Sequence, residues 1–205
     1  MSRPPEVSAK PTAELPDSTA LLRGARASKA APVKLVIEQP AYDLLRKARA
    51  ARAGDRPEEA VEQYRRAIRE GGGYLAPANM ELGLTLVTLR RNEEAAAPLL
   101  AVVRREGGRY PLVFYHLGRI YESIGRLAEA GEAFARAAEL AGEESPQFYV
   151  DLSRVREREG RDADALAAAE AYVRMMARAG EAPDWARERV ESLRKKAGQT
   201  APSKP

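Results

Sequence analysis

The sequence predicts an all-α protein, an α-solenoid of about four helix pairs closed by a C-terminal capping helix. Three observations carry that reading. Small residues recur at Ala48, Gly83, Gly118 and Ser153, each 35 positions after the last. Ladders with the same step run through Ala60, Ala95, Ala130 and Ala165, through Tyr64, Leu99, Phe134 and Ala169, and through Leu82, Leu117 and Leu152. A fixed period of that length is the mark of stacked supersecondary units. Third, Ala occurs 39 times among 205 residues while aromatics make up 6%. That composition suits close helix packing around small side chains better than an aromatic-rich β sandwich.

Taken in order, residues 1–40 hold six prolines among Ser, Thr, Ala and scattered charge. Such a stretch buries too little apolar surface to offset its ordering entropy, so a disordered tail is expected. Val33–Ile37 is a short β-prone exception within it. The tail carries no uncharged apolar stretch of the kind that opens a secretory signal. Four repeats follow, at about 41–74, 75–109, 110–144 and 145–180. In the third, Phe114, Leu117, Gly118 and Tyr121 fall on one helical stripe. Gly125-Arg126 breaks that helix, and residues 127–141 restart it with Ala130, Ala133, Phe134 and Ala137 facing inward. Matching breakers stand at Gly54-Asp55, Arg91-Asn92 and Gly160-Arg161, and Gly71-Gly72-Gly73, Gly107-Gly108 and Gly142 separate the units. Without bulky side chains at the small positions, the two backbones of a pair can approach closely. Pro98, inside the second unit's second helix, should bend it or cost it hydrogen bonding. Residues 181–197 form the cap, with Ala186, Val190 and Leu193 on one face and charged residues on the other, the polar-backed lid an open solenoid end requires. Tyr172 stands where other units have a small residue, placed to pack against Trp185. Residues 198–205 read as a disordered tail.

The third unit, Phe114-x2-Leu117-Gly118-x2-Tyr121 followed by Ala130-x3-Phe134, resembles the tetratricopeptide repeat family. Phe stands there for the usual Trp and Gly142 for the usual closing Pro. Units two and four keep Leu82-Gly83 and Leu152-Ser153, and the first keeps only Ala48, Ala60, Tyr64 and Ala67. The resemblance covers about residues 41–178. It implies a right-handed solenoid whose first helices line a concave groove, and a role in binding other proteins.

Other function classes find little support in the residues. No Cys is present, which removes disulfide frameworks, thiolate metal sites and cysteine nucleophiles. A single His, His116, has no nucleophile pattern beside it and reads as a polar position near a binding surface. No glycine-rich phosphate motif, metal cluster or membrane-length apolar run occurs, so no catalytic residue, cofactor or metal is assigned. The net charge of +4 is spread rather than clustered, which does not point to nucleic acid. The expected partner is another protein, bound as a peptide or helix, apolar with acidic neighbours, in the cytoplasm. The groove stripe is assigned to Leu45, Met80, Tyr115 and Val150 as an apolar floor, with Arg49, Arg119 and Arg154 as a cationic ladder interrupted by Leu84. Self-association is another way of covering that surface. The residues at the chaperone-tail clamp positions of the family (Leu45, Arg49, Glu81, Leu112 and His116) do not make a carboxylate clamp. An adaptor or assembly factor is the favoured role. A scaffold of a bacterial envelope machine and the binding subunit of an enzyme complex are its rivals, and the Ala/Arg-rich composition suits a bacterial source.

Overall fold

The computed structural model describes residues 17–24 and 39–200, nearly all of it helices and turns. After a short helix α1 (Thr19–Gly24) the chain runs as four antiparallel pairs and a final helix. The pairs are α2 (Gln39–Ala53) with α3 (Pro57–Glu70), α4 (Ala76–Thr88) with α5 (Asn92–Glu106), α6 (Pro111–Ser123) with α7 (Leu127–Ala141), and α8 (Gln147–Arg158) with α9 (Asp162–Ala179). The last is α10 (Asp184–Thr200). From α2 onward each helix packs on the next, which makes the stack a solenoid. Pro57, Pro77 and Pro111 open α3, α4 and α6 from the first turn, where a missing N–H costs nothing. α5 continues through Pro98 without a break.

The turn inside each pair imposes one demand four times. Asp55, Arg90, Gly125 and Gly160, spaced 35 apart, all take φ between 57° and 78°. Glycine fits that region freely and other residues do so at a cost. Arg90 therefore sits one residue before the Arg91-Asn92 breaker read from the sequence. Between the helices of unit three, the ring of Phe134 lies so close to Gly118 that a Cβ there would meet it at 2.7 Å. The same holds for Gly83 under Leu99, at 2.6 Å. This is the close approach that the small-residue ladder requires.

Unit four departs from the pattern. Arg156 stands at the place of the buried Tyr121, and Gly131 makes room for it: a Cβ at Gly131 would lie 2.6 Å from Arg156 Nη1. The guanidinium bonds Glu159 at 2.8 Å and Glu132 at 3.0 Å. The three side chains are only 7%, 8% and 12% exposed for Arg156, Glu159 and Glu132. A buried cation is tolerable only with such pairing. The hydrogen bond from Arg23 holds the Glu132 carboxyl down at about 2 against the upward push of burial, with Arg156 adding to the pull. Its pKa is thus lower folded than unfolded, where it is near 4.5. Its contribution is fully present above pH 4.5 and is lost as pH falls toward 2. Urea denaturation between pH 6 and 2.5 should show stability declining through that window, with a shallower decline in Glu132→Gln.

Two boundaries differ from the sequence reading. Residues 17–24 fall inside the stretch expected to be disordered, yet α1 forms and buries Leu22 completely against the stack. α1 gains its order from docking, because six residues are too few to hold a helix alone. Gln39 and Pro40 already belong to α2, and residues 1–16 and 25–38, including 33–37, lie outside the described residues. α10 runs to Thr200, past the expected end at 197, and buries Ala186, Val190 and Leu193. Residues 201–205 lie outside the described residues. Tyr172 and Trp185 approach with ring centroids 5.4 Å apart.

Candidate interaction surface

The first helices α2, α4, α6 and α8 bring equivalent residues to one face, and α10 continues the register. Adding 35 to Val150 gives Trp185, and adding 35 to Arg154 gives Arg189. Trp185 is 48% exposed. Three residues ahead of the floor positions stand Tyr42 and Leu112, which are 42% and 59% exposed. At i, i+3 and i+7, Leu112, Tyr115 and Arg119 share one stripe of α6. Tyr42, Leu112 and Trp185 are the large apolar side chains most open to solvent among the described residues, and all three lie on this face.

The assigned floor is uneven. Leu45 is 2% exposed and belongs to the core, so it offers nothing to a ligand. Met80 and Tyr115 are half-buried and lean on the core. Tyr115 stacks on Phe148 of α8 with centroids 4.7 Å apart, and lies 5.7 Å from Phe134 and from His116. Leu84 is half-buried on α4. Val150 borders a shallow recess with Ser153, Ala169, Tyr172, Trp185, Ala186 and Arg189.

The cationic ladder is mostly engaged inside the protein. Arg49 holds Glu81 of α4 through Nε at 2.9 Å and Nη2 at 2.5 Å, and Glu81 also accepts the Tyr64 hydroxyl at 2.9 Å. Burial pushes the Glu81 carboxyl up, but Arg49 and Tyr64 more than offset it and leave it below its ordinary value. Burial, then Glu81, pushes the Tyr64 phenol up to about 12. Arg154 pairs with Glu122 of α6 and, at 2.5 Å, with Asp151, while Arg158 bonds Glu122 at 2.5 Å. On α10, Arg189 reaches Glu157 at 3.1 Å and Lys196 reaches it at 2.6 Å. These pairs stitch first helix to first helix across the repeats. Arg119 is different. Its Nη1 donates to the Tyr115 hydroxyl at 3.3 Å, and among the described residues no carboxylate forms an ion pair with it. It projects an exposed guanidinium steadied by Tyr115.

Sequence reasoning named the arginines and missed their partners. A signal was present: Arg49 to Glu81, Glu122 to Arg154 and Glu157 to Arg189 are all separated by 32 residues. That is one repeat less most of a helical turn, which sets the two side chains face to face on neighbouring first helices. His116 is half-buried, and burial, then the charge of Arg119, pulls its imidazole below the ordinary value. No cluster of three or more His, Cys, Asp or Glu able to hold a metal occurs among the described residues. Nor is any helix among them long and apolar enough to cross a membrane.

A stack of helix pairs with a half-apolar, ion-stitched first-helix face defines a helical repeat protein of the interaction-scaffold type. The family model for the tetratricopeptide repeat matches residues 45–111 and 80–147, together about half of the chain, and the protein belongs to that family. No curated protein matches the sequence. Among solved structures, a MamA protein aligns at 17% identity, covering 78% of this chain and 84% of its own, with a TM-score of 0.66. A tetratricopeptide repeat protein from Parabacteroides merdae aligns at 13% identity over 79% of this chain and 62% of its own, TM-score 0.65. MamA from Desulfovibrio magneticus aligns at 13% identity over 81% and 99%, TM-score 0.61. At these identities the likeness is one of fold.

Proposed function

We propose that this protein is a cytoplasmic adaptor or assembly factor that binds an apolar segment of a partner protein on its first-helix face, without catalysing a reaction. The observation that carries the reading is the gathering of Tyr42, Leu112 and Trp185, the large apolar side chains most exposed among the described residues, on that one face. Exposed large apolar side chains confined to one face mark it as an interaction surface better than residues spread over all sides would. Leu112 and Met80 suit apolar anchors of the partner, and Arg119 suits an acidic residue beside them. Arg49 and Arg154 serve the stack rather than the ligand, since their charges are already met by Glu81 and Glu122.

Charge reversal separates these roles. Arg119→Glu combined with Leu112→Asp should leave helicity and melting unchanged and weaken partner capture by about tenfold or more. Arg66→Glu, on the outer side of α3, should leave capture intact. Arg49→Glu or Arg154→Glu should instead lower the melting temperature, since the first sets a carboxylate against Glu81 and the second against Glu122 and Asp151. Full capture by the Arg119/Leu112 variant would show that binding uses another surface. Sedimentation of the purified protein tells a second copy from a different partner.

A further inference from the structure

The opposite side of the stack carries an occupied groove. Residues 17–24 lie against the second helices α5 and α7, away from the first-helix face. Their contacts are specific. Leu22 is wholly buried and Leu21 is partly buried against the core. Ser18 is buried too, against the Tyr121 phenol of α6. Arg23 grips Glu132 of α7 with both arms, Nε at 2.8 Å and Nη2 at 2.9 Å. Asp17 opens the helix by accepting the N–H of Thr19 at 2.9 Å.

Much of the seat is built from groups outside this segment. Glu132 is held by Arg156 at 3.0 Å from α8, and the walls belong to the repeat core. The segment, in contrast, depends on the seat, since six residues with one fully buried leucine do not sustain a helix in water. Residues 25–38 join it to α2. Fourteen residues reach about 50 Å at most, ample for crossing two repeats whose helices lie about 10 Å apart. A tether of that length supplies a local concentration that an untethered copy of so small a helix cannot match.

We propose that the outer groove between α5 and α7 is a second helix-docking site of this protein, and that its own residues 17–24 occupy it in cis as an exchangeable, tethered ligand. The site reads a short helix by a small polar residue, a leucine four positions later and an arginine directly after. While α1 is docked the groove is closed to other chains. A partner helix of the same pattern enters when α1 leaves.

The test titrates a fluorescein-labelled peptide of residues 15–26 into the full chain, as wild type and as the Leu22→Asp/Arg23→Glu double variant. The peptide should bind the double variant and bind wild type at least about tenfold more weakly, because the tethered helix competes. A peptide carrying Arg23→Glu should lose that binding. Equal binding to both proteins, or to neither, would overturn the proposal. Hydrogen exchange on wild type provides an independent readout. Amides of 19–24 should exchange far faster than those of α7, as a helix that undocks alone must. Exchange as slow as in α7 would make the segment a fixed part of the fold, and concentration-dependent dimers lost in the double variant would place α1 in trans; either result contradicts the proposal.

Discussion

Phe134→Ala should lower the unfolding free energy by about 3–5 kcal/mol, the range for emptying an aromatic from a closed core. Phe134 is wholly buried in the middle of the stack. Its ring covers Gly118 and lies 5.7 Å from Tyr115. Gly118 has no side chain with which to fill the gap, and helices held apart by other pairs cannot collapse into it. The loss is a large share of the roughly 5–15 kcal/mol that stabilises an ordinary domain. Urea denaturation followed by circular dichroism measures it as a lowered midpoint. Leu112→Ala, on exposed surface, should move the midpoint little, and a similar small shift for Phe134→Ala would contradict the close packing of Phe134 on Gly118.

Arg156→Ala should cost about as much, about 3–5 kcal/mol at neutral pH, for an electrostatic reason. It strips the central cation from Glu132 and Glu159, whose side chains stay largely out of water. Two facing carboxylates are then left with Arg23 and Arg161 on the exposed rim. The sign of the pH dependence separates this from simple loss of packing. Acid protonates the stranded Glu132 carboxylate, so the gap between variant and wild type should narrow as pH falls from 6 to 3. Arg156→Ala with Glu159→Gln should recover part of the loss. A gap that stays constant with pH would mean that the guanidinium contributes by volume alone.

The helix pairs were legible because close packing leaves a mark on residue type: Gly83 and Gly118 recur where Leu99 and Phe134 press in. Charge pairing leaves a weaker mark. Arg49, Arg119 and Arg154 look alike along the chain, and only the neighbouring repeat distinguishes the two that meet Glu81 and Glu122 from the one that meets a tyrosine hydroxyl. Helical periodicity gives direction and not depth, which is why Leu45 shared a stripe with Met80 and Tyr115 yet lies in the core. Helix α1 was illegible for a third reason. Its order comes from the seat between α5 and α7, and nothing in six residues reports a surface formed some hundred residues further on. Arg90 escaped notice similarly, because a left-handed turn residue that is not glycine carries no local sign.

The reading of the first-helix face as the binding surface stands or falls most directly on site-specific photo-crosslinking in the cell. A benzophenone side chain is placed at Leu112 on α6, 59% exposed, or at Arg66 on the outer side of α3. Irradiation should give a covalent adduct with one discrete partner from position 112, weakened by Arg119→Glu, and none from position 66. Adducts from position 66 with none from 112 would contradict it.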